Sequence, residues 1–329
     1  MNLRWLSFLA VLVLSFPAVA AEPSAEEVAA YPTRPVRIIV PFATGGGTDV
    51  LARMFAHRLS AVWPNPVVVE NRAGASATIG TDVVAKARPD GYTLLLIADT
   101  HAINHSLFRK LPYDPVKDFA PLIKLATAPH VLVVHPSVQA NSLQEFLALA
   151  KAKPGVLNYA SSGNAGTSYV LTEIFRAAAG IDLVHVPYKG AGPAMTALIS
   201  GETQVTIAPA VTTLPQWRSN RARPLAILSS ERSELLPGVP TLAESGFQEI
   251  RYDSWYGMLA PAGTPPAILT KVNEAIREAM NTSEIKAQML AQGLQASGGS
   301  PGEFDQFIRS EIGKWAAAIK AAGVQAGEL

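Results

Sequence analysis

The chain has 329 residues, no cysteine, and 27 Lys and Arg against 26 Asp and Glu, a formal net charge of +1. Without cysteine it has no disulfide, no thiolate nucleophile, no cysteine-ligated metal and no cysteine for a lipid anchor. The basic residues are scattered along the chain, which argues against nucleic-acid binding because a groove that follows a phosphate backbone needs clustered Lys and Arg. The length favours two domains over one.

The first 20 residues have the pattern of a secretory signal peptide. Arg4 precedes an apolar run from Leu6 to Phe16, and Ala18 to Ala20 supply the small residues that signal peptidase requires near Ala20. The apolar run is shorter than the about 20 residues that a membrane-spanning helix needs. Cleavage would remove one basic residue and leave 26 basic and 26 acidic residues. We therefore expect a periplasmic protein that is exported by a signal peptide at residues 1–20.

Short apolar segments alternate with helical patterns through most of the remaining chain. The apolar segments predict buried strands: Val36–Phe42, Val67–Glu70, Thr93–Ala98, Val131–His135, Leu183–Tyr188 and Leu225–Ser229. The segments between them predict amphipathic helices: Asp49–Ala61, Ile79–Ala87, Leu143–Ala152, Tyr169–Ala179 and Pro193–Ile199. This alternation is typical of an α/β fold, in which helices cover both faces of parallel sheets.

The carboxyl-terminal part has helical patterns with no strand predicted between them: Pro266–Met280, Ser283–Gln292 and Pro301–Ala322. Two extended apolar segments, Thr127–Val134 and Arg251–Pro261, lie where the chain could cross between two lobes. We therefore predict a discontinuous first lobe, residues 31–130 and 250–329, and an inserted second lobe, residues 131–249. Ligands of open α/β sheets bind beyond the carboxyl ends of the strands, so two facing lobes would enclose a cleft.

A glycine-rich turn follows the first predicted strand. Its glycines let the backbone approach a ligand, and the start of the next helix carries free N–H groups, so the turn is suited to an anion. From spacing alone, a plain strand-to-helix turn capped by Thr48 or Asp49 is an equal alternative. The turn fits neither a Walker A loop nor a dinucleotide-binding motif. The candidate ligand-binding residues here are Phe42, Thr44, Gly45, Gly46, Gly47, Thr48 and Asp49.

A second turn of small residues, SSGNAGTS at residues 161–168, precedes the helix predicted from Tyr169. Its four hydroxyl side chains can donate hydrogen bonds to a carboxylate, although such turns often only cap a helix. Two anion-binding turns, one in each predicted lobe, would form a clamp on a small carboxylate. The candidate residues of this turn are Ser161, Ser162, Gly163, Asn164, Gly166, Thr167 and Ser168.

Two other strand exits add candidates. Tyr188 offers a ring and a hydroxyl and Lys189 a charge, although a loop lysine is more often solvated. Thr100 and His101 follow the third predicted strand. His101 and His105 are four residues apart and could share a helical face, but no HExxH glutamate accompanies them, so we predict no metal site.

Several motifs in this order and spacing resemble the Bug-type substrate-binding receptors of tripartite tricarboxylate transporters. The motifs are YP at 31–32, VRIIVPFATGGGTD from Val36, VVVENRAGASATIG from Val67, PDGYTLL from Pro89, THAIN from Thr100, LPYDP from Leu111, VPYKGAGPA from Val186, and WYG from Trp255 running into APAGTP from Ala260. The resemblance covers nearly all of the chain that follows the predicted signal peptide.

The resemblance implies an α/β, two-lobed type II periplasmic binding protein fold, or Venus flytrap, in which each lobe is a mainly parallel sheet flanked by helices. It implies that backbone amides of residues 44–48 and 161–168 hold a carboxylate, partly through ordered waters. The ligand would be an organic acid or an acidic amino acid. A monomeric receptor would deliver it to a membrane permease without a cofactor.

Two positions depart from the family's pattern. Tyr169 stands where many relatives have histidine, and Ala208, Pro209 and Ala210 replace an aromatic-then-polar run. Both positions lie near the expected cleft, so Ala208 is also a candidate ligand-binding residue. The departures prevent transfer of a particular ligand from the family.

Two other classes of function fit parts of the sequence. An exported hydrolase could use the Ser161–Ser168 turn, but that turn lacks the first glycine of a G-x-S-x-G nucleophile elbow. An exported partner-binding module could use the aromatic residues of segment 252–256, which more simply pack near the lobe crossover. We therefore expect a receptor and not an enzyme.

Overall fold

The computed structural model describes residues 22–324, so the predicted signal peptide at residues 1–20 lies outside the described residues. The helices are α1 Ala25–Ala30, α2 Gly47–Val62, α3 Thr78–Ala85, α4 Thr100–Leu107, α5 Leu143–Ala152, α6 Thr167–Ala179, α7 Ala191–Ile199, α8 Ala210–Arg218, α9 Pro266–Asn281, α10 Ser283–Ala291 and α11 Pro301–Ala322. The strands are β1 Val36–Val40, β2 Val67–Asn71, β3 Thr93–Ala98, β4 Phe119–Val134, β5 Asn158–Ser161, β6 Val184–Pro187, β7 Val205–Pro209, β8 Arg223–Ile227, β9 Asp253–Pro261 and β10 Gln295–Gly298. Within this range no helix is both long and apolar enough to cross a bilayer.

The strands form two groups that share the long strand β4. The first group has the order β2-β1-β3-β9-β4-β10, and the second has the order β8-β4-β7-β5-β6. Pairing is parallel within β2-β1-β3 and within β6-β5-β7, as the predicted βαβ units require. The pairings that involve β4, and the pairing of β3 with β9, are antiparallel. Each sheet is therefore mixed, with a parallel part that the sequence pattern predicted.

Strand β4 changes partner along its length. Residues Phe119–Pro129 pair with β9, and His130–Val134 pair with β7. Strand β9 begins at Asp253, opposite Pro129, and Tyr252 just before it donates its N–H to Leu228 at the end of β8. The chain therefore passes between the two groups of strands at two neighbouring places. The bounds of the two lobes stay a prediction.

Strand β10 corrects the expectation of helices alone at the carboxyl end. Its sequence QASG is short and largely exposed, so it lacks the apolar run that marked the other strands. Its residues pair with the edge of β4, where Gln295 lies opposite Thr127. Helix α8 was also not predicted, because Pro215 interrupts its pattern. Both elements depend on tertiary contacts that a local pattern does not contain.

The buried strand β3 shows how the core of the first group is divided. All six of its residues are buried. Leu94 and Leu96 pack in one cluster with apolar residues of α2 and α9, whereas Leu95 and Ile97 pack in another with residues of α4 and α11. The strand is therefore covered on both faces, as its continuous apolar sequence predicted.

One buried carboxylate connects α11 to β9. The Nε1 atoms of Trp255 and Trp315 donate to Oε2 of Glu311 at 3.1 and 3.2 Å. Lys314 donates to Oε1 of the same carboxylate at 3.3 Å. Both indoles are almost completely buried, so Glu311 supplies the acceptor that each buried N–H group needs.

We predict that Glu311→Ala lowers the free energy of unfolding by about 2 to 4 kcal/mol, because two buried indole donors lose their acceptor. Glu311→Gln keeps an oxygen acceptor and should lose less than half as much. Urea unfolding followed by tryptophan fluorescence measures both values. Equal losses in the two variants would contradict the acceptor role of this side chain.

Candidate functional site

The N-termini of five helices meet at one small cavity, of about 50 Å³, between the two groups of strands. The residues of these helix starts that line it are Gly46, Gly47 and Thr48 of α2, Asp99 and Thr100 of α4, Thr167 and Ser168 of α6, Ala191 of α7 and Pro209 of α8. A helix N-terminus carries free N–H groups and the positive end of the helix dipole. Their convergence makes this small cavity suited to an anion.

Helices α2 and α6 both begin at a glycine. Gly46 and Gly166 occupy the N-cap positions, and neither helix has a side-chain cap. The N–H groups of the first turn therefore keep their hydrogen-bonding capacity for another acceptor. Gly47 also allows close packing, because a Cβ atom at this position would overlap the hydroxyl of Tyr256. Glycine thus leaves donors free and leaves room for the ring that lines the cavity.

Hydroxyl groups around the small cavity form two hydrogen-bonded clusters. Ser168 Oγ accepts from the Ser162 N–H at 2.7 Å and donates to Ser162 Oγ at 2.8 Å. The Thr167 hydroxyl donates to Oδ1 of Asp99 at 2.7 Å and lies 3.0 Å from the Thr100 hydroxyl. The second cluster, of Asp99, Thr100 and Thr167, joins the start of α4 to the start of α6, and so it connects the two groups of strands.

Three polar residues of this cavity, His130, Ser254 and Tyr256, lie outside every turn that the sequence indicated, and a fourth, Asp99, begins the candidate segment that contains Thr100 and His101. Asp99 is 2% exposed, and burial raises its pKa to about 7. His130 Nε2 lies 3.1 Å from the Ser254 hydroxyl and 4.0 Å from Oδ2 of Asp99, and burial lowers the pKa of this histidine to about 3. Burial also raises the pKa of Tyr256, whose hydroxyl has no partner among the described residues. The cavity therefore contains neutral polar groups as well as helix starts.

Eight predicted residues line the small cavity: Phe42, Gly46, Gly47, Thr48, Thr100, Ser162, Thr167 and Ser168. Four others, Gly163, Asn164, Tyr188 and Lys189, line a second, larger cavity of about 300 Å³. Phe42 and Ser162 belong to both linings, so the two cavities adjoin. The two predicted turns therefore lie at one place in the structure.

The remaining predicted residues have other positions. Asp49 is buried at the start of α2, where it accepts from the Gly45 N–H at 3.0 Å. His101 is within 2.8 Å of the Pro115 carbonyl, and burial lowers the pKa of its ring to about 4. Ala208 packs in the core of the second group of strands, while the adjacent Pro209 lines the small cavity.

Ser161 and Gly166 shape the turn at residues 161–168, called the serine turn. The Ser161 hydroxyl lies 2.6 Å from Nε2 of His185 and is fully buried. Gly166 lies against Ser162 so closely that an added Cβ atom would overlap the serine side chain. Both residues shape the turn without lining either cavity.

The glycine turn also contacts the start of α7. A Cβ atom added to Gly192 would overlap the Thr44 carbonyl oxygen and lie 3.0 Å from the carbonyl carbon of Gly45. The Ala43 N–H donates to the Lys189 carbonyl at 3.0 Å. These contacts join the first group of strands to the second, and they require glycine at position 192.

A strained turn lies on the other side of the larger cavity. Ala75, Ser76 and Ala77 have φ angles of 43°, 49° and 75°, which cost energy for residues that carry a Cβ atom. The Ser76 hydroxyl accepts the Ala165 N–H of the serine turn at 3.1 Å. The left-handed turn thus holds Ser76 against the opposite group of strands.

A metal centre has no support among the described residues. In residues 22–324, no group of three or more His, Asp or Glu side chains could hold a metal ion. His101 stands four residues before His105, and its Nε2 atom is hydrogen-bonded to the Pro115 carbonyl.

Known proteins match this chain in sequence and in fold. The family model described as tripartite tricarboxylate transporter family receptor, TctC, matches residues 51–324. BugT of Bordetella pertussis is 38% identical over 327 residues, which cover 99% of each protein. A structure titled R. palustris Rpa4515 with adipate is 34% identical, with a TM-score of 0.87 over 90% of this chain and 99% of that chain. MatC from Rhodopseudomonas palustris with bound malate is 31% identical, with a TM-score of 0.84 over 88% and 100%.

These matches confirm the resemblance to Bug-type receptors. The structural matches also confirm the two-lobed periplasmic binding protein fold. The chain therefore belongs to the TctC family, the periplasmic solute-binding receptors of tripartite tricarboxylate transporters.

Proposed function

We propose that the small cavity binds one carboxylate of a small organic acid or acidic amino acid. The observation that carries the proposal is the convergence of five helix N-termini on that cavity. The adjoining larger cavity then holds the rest of the ligand and determines which acid fits. Adipate and malate in two related structures support this ligand class.

Neutral groups bind the anion in this proposal. None of the described residues that line the small cavity is Lys or Arg, and the low pKa of His130 keeps its imidazole neutral. Helix N–H groups and hydroxyls would supply the hydrogen bonds, and burial would strengthen each of them. Lobe closure then excludes water, and opening releases the ligand to the membrane permease.

The structure favours a receptor over the two alternatives. Ser161, the first serine of a hydrolase-like turn, is fully buried against His185 and lines neither cavity. Trp255 and Tyr256, which a partner-binding surface would expose, are 1% and 2% exposed. These positions support ligand binding without catalysis.

We predict that one member of a panel of mono-, di- and tricarboxylates and acidic amino acids raises the melting temperature by about 5 °C. A ligand that binds only the native state adds about 2.7 kcal/mol at a concentration of about 100 times its Kd. Differential scanning fluorimetry of the protein that begins at Ala21 measures the shift. An unchanged melting temperature across the panel, with turnover of an ester or amide substrate, would overturn the proposal.

Closure of the lobes should depend on Gly192. The added methyl group of Gly192→Ala would overlap Thr44, and we expect the affinity for the carboxylate to fall about tenfold. Gly313→Ala is the matched control, because nothing lies within 4 Å of a Cβ atom there. Calorimetry gives the affinities, and small-angle scattering with saturating ligand should give a larger radius of gyration for the Gly192 variant. Wild-type affinity and radius would show that this contact does not limit closure.

The export signal has a direct test. We propose that residues 1–20 direct secretion and are cleaved near Ala20. The protein recovered from the periplasm should therefore have a mass that corresponds to a chain starting close to Ala21. Intact-mass spectrometry measures this value, and an uncleaved chain in the periplasm would contradict the proposed cleavage.

A further inference from the structure

Asp99 brings a carboxyl group to the place where the ligand's carboxylate is proposed to bind. Its Oδ1 atom accepts from the Thr100 N–H at 3.1 Å and from the Thr167 hydroxyl at 2.7 Å. Its Oδ2 atom is buried, and it has no hydrogen-bond partner among the described residues. The side chain lines the small cavity, where a bound molecule would supply the partner that Oδ2 lacks.

The surroundings of Asp99 favour its neutral form. An ionised oxygen without a partner is costly in a buried position, and burial accordingly raises the pKa of this carboxyl to about 7. The Thr167 hydroxyl opposes that shift, and the Glu311 charge on α11 adds to it. A ligand carboxylate in the same cavity would raise the pKa further, because two negative charges cannot be stabilised together there.

The other titratable groups around Asp99 come from three elements. His130 of β4 lies 4.0 Å away and remains neutral because its pKa is about 3. Tyr256 of β9 remains neutral because burial raises its pKa. On α11, Glu311 favours the neutral acid and Lys314 favours the ionised one. His130 and Tyr256 therefore stay neutral beside Asp99 near neutral pH.

We propose that Asp99 is a specificity-determining residue that binds the ligand as a neutral carboxylic acid, donating its Oδ2–H to the ligand's carboxylate. This inference rests on the proposed function. Asp99 then completes a cavity lined by donors, together with the helix N–H groups and the Thr and Ser hydroxyls. When the free protein carries an ionised Asp99, binding takes up one proton from solution. The preferred ligand is therefore one whose carboxylate accepts a hydrogen bond from the protonated Asp99.

The direction of the pH dependence follows from this arrangement. Below a pH of about 7, Asp99 of the free protein is already neutral, and affinity should not depend on pH. Above that value the free carboxyl ionises while the bound one stays neutral, so affinity falls about tenfold for each pH unit. An ionised Asp99 that accepted a hydrogen bond from a ligand hydroxyl or ammonium would give the opposite direction, with affinity rising with pH.

Asp99→Asn separates the two arrangements. The donors Thr100 and Thr167 fix the oxygen of the amide at the Oδ1 position, so the amide NH₂ group takes the place of Oδ2. The variant keeps a donor toward the ligand and cannot ionise. We expect it to bind as tightly as the wild type does at pH 6.5 and to keep that affinity at pH 8.5.

The experiment is isothermal titration calorimetry with whichever of malate, adipate and glutamate binds most tightly at pH 6.5. Measurements at pH 6.5, 7.5 and 8.5 keep the ligand carboxylates ionised throughout. Buffers of different ionisation enthalpy count the protons taken up, which should approach one for wild type at pH 8.5 and zero for Asp99→Asn. Asp305→Asn, on the surface of α11, makes the same chemical change outside both cavities and should retain the wild-type pH dependence.

The outcomes distinguish the two proposals. A loss of affinity above pH 7 with proton uptake supports the neutral acid, and the proton count on wild type gives that answer even if Asp99→Asn fails to fold. Binding that is independent of pH, or that strengthens as pH rises, overturns the role of Asp99 and leaves the proposed function intact. Absence of binding at every pH, for all three acids, overturns both.

Discussion

A buried anion needs hydrogen-bond donors that stay in place when water is removed, and in the proposed function this protein obtains them from the starts of its helices. Each such helix follows a strand whose carboxyl end faces the space between the lobes. The glycine N-caps Gly46 and Gly166 leave the first N–H groups of α2 and α6 without a side-chain acceptor. The starts of α2 and α6 both line the small cavity, so the packing of the strands that precede them places the donors together. Stability and binding therefore depend on the same arrangement of strands and helices.

The two adjoining cavities divide the work of recognition. In the proposed function the small one, of about 50 Å³, holds a carboxylate, and the larger one, of about 300 Å³, holds the rest of the ligand. Helix N–H groups are shared by any sequence with this fold, so they confer affinity for the class of ligand. Side chains such as Asp99 and Lys189 vary the chemistry at either end. One scaffold can thereby serve receptors for different acids.

The local sequence predicted the two turns of the candidate site. It did not predict the site residues that lie on strands paired over long distances in the chain. GGGTD and SGNAGTS each stand between an apolar run and a helical pattern, so their position at the strand ends was predictable. His130, Ser254 and Tyr256 lie within β4 and β9, whose antiparallel pairing joins segments more than a hundred residues apart. Asp99 did have a local signal, since an acid directly follows the wholly buried TLLLIA. The structure adds that Asp99 is the N-cap of α4 and that its second oxygen is unpaired among the described residues.

The neighbouring strand crossings also determine how the molecule can move. Because Pro129 of β4 lies opposite Asp253 of β9, the two connections are adjacent and would act as one hinge if the two groups of strands rotate against each other. A rotation about an axis displaces atoms in proportion to their distance from it. His130 follows Pro129 and Ser254 follows Asp253, and both line the small cavity, so a rotation at the crossings would displace this part of the cavity little. A ligand would therefore meet a nearly preformed carboxylate site beside the crossings. The rotation of the two groups of strands would then enclose the part of the ligand that differs between acids.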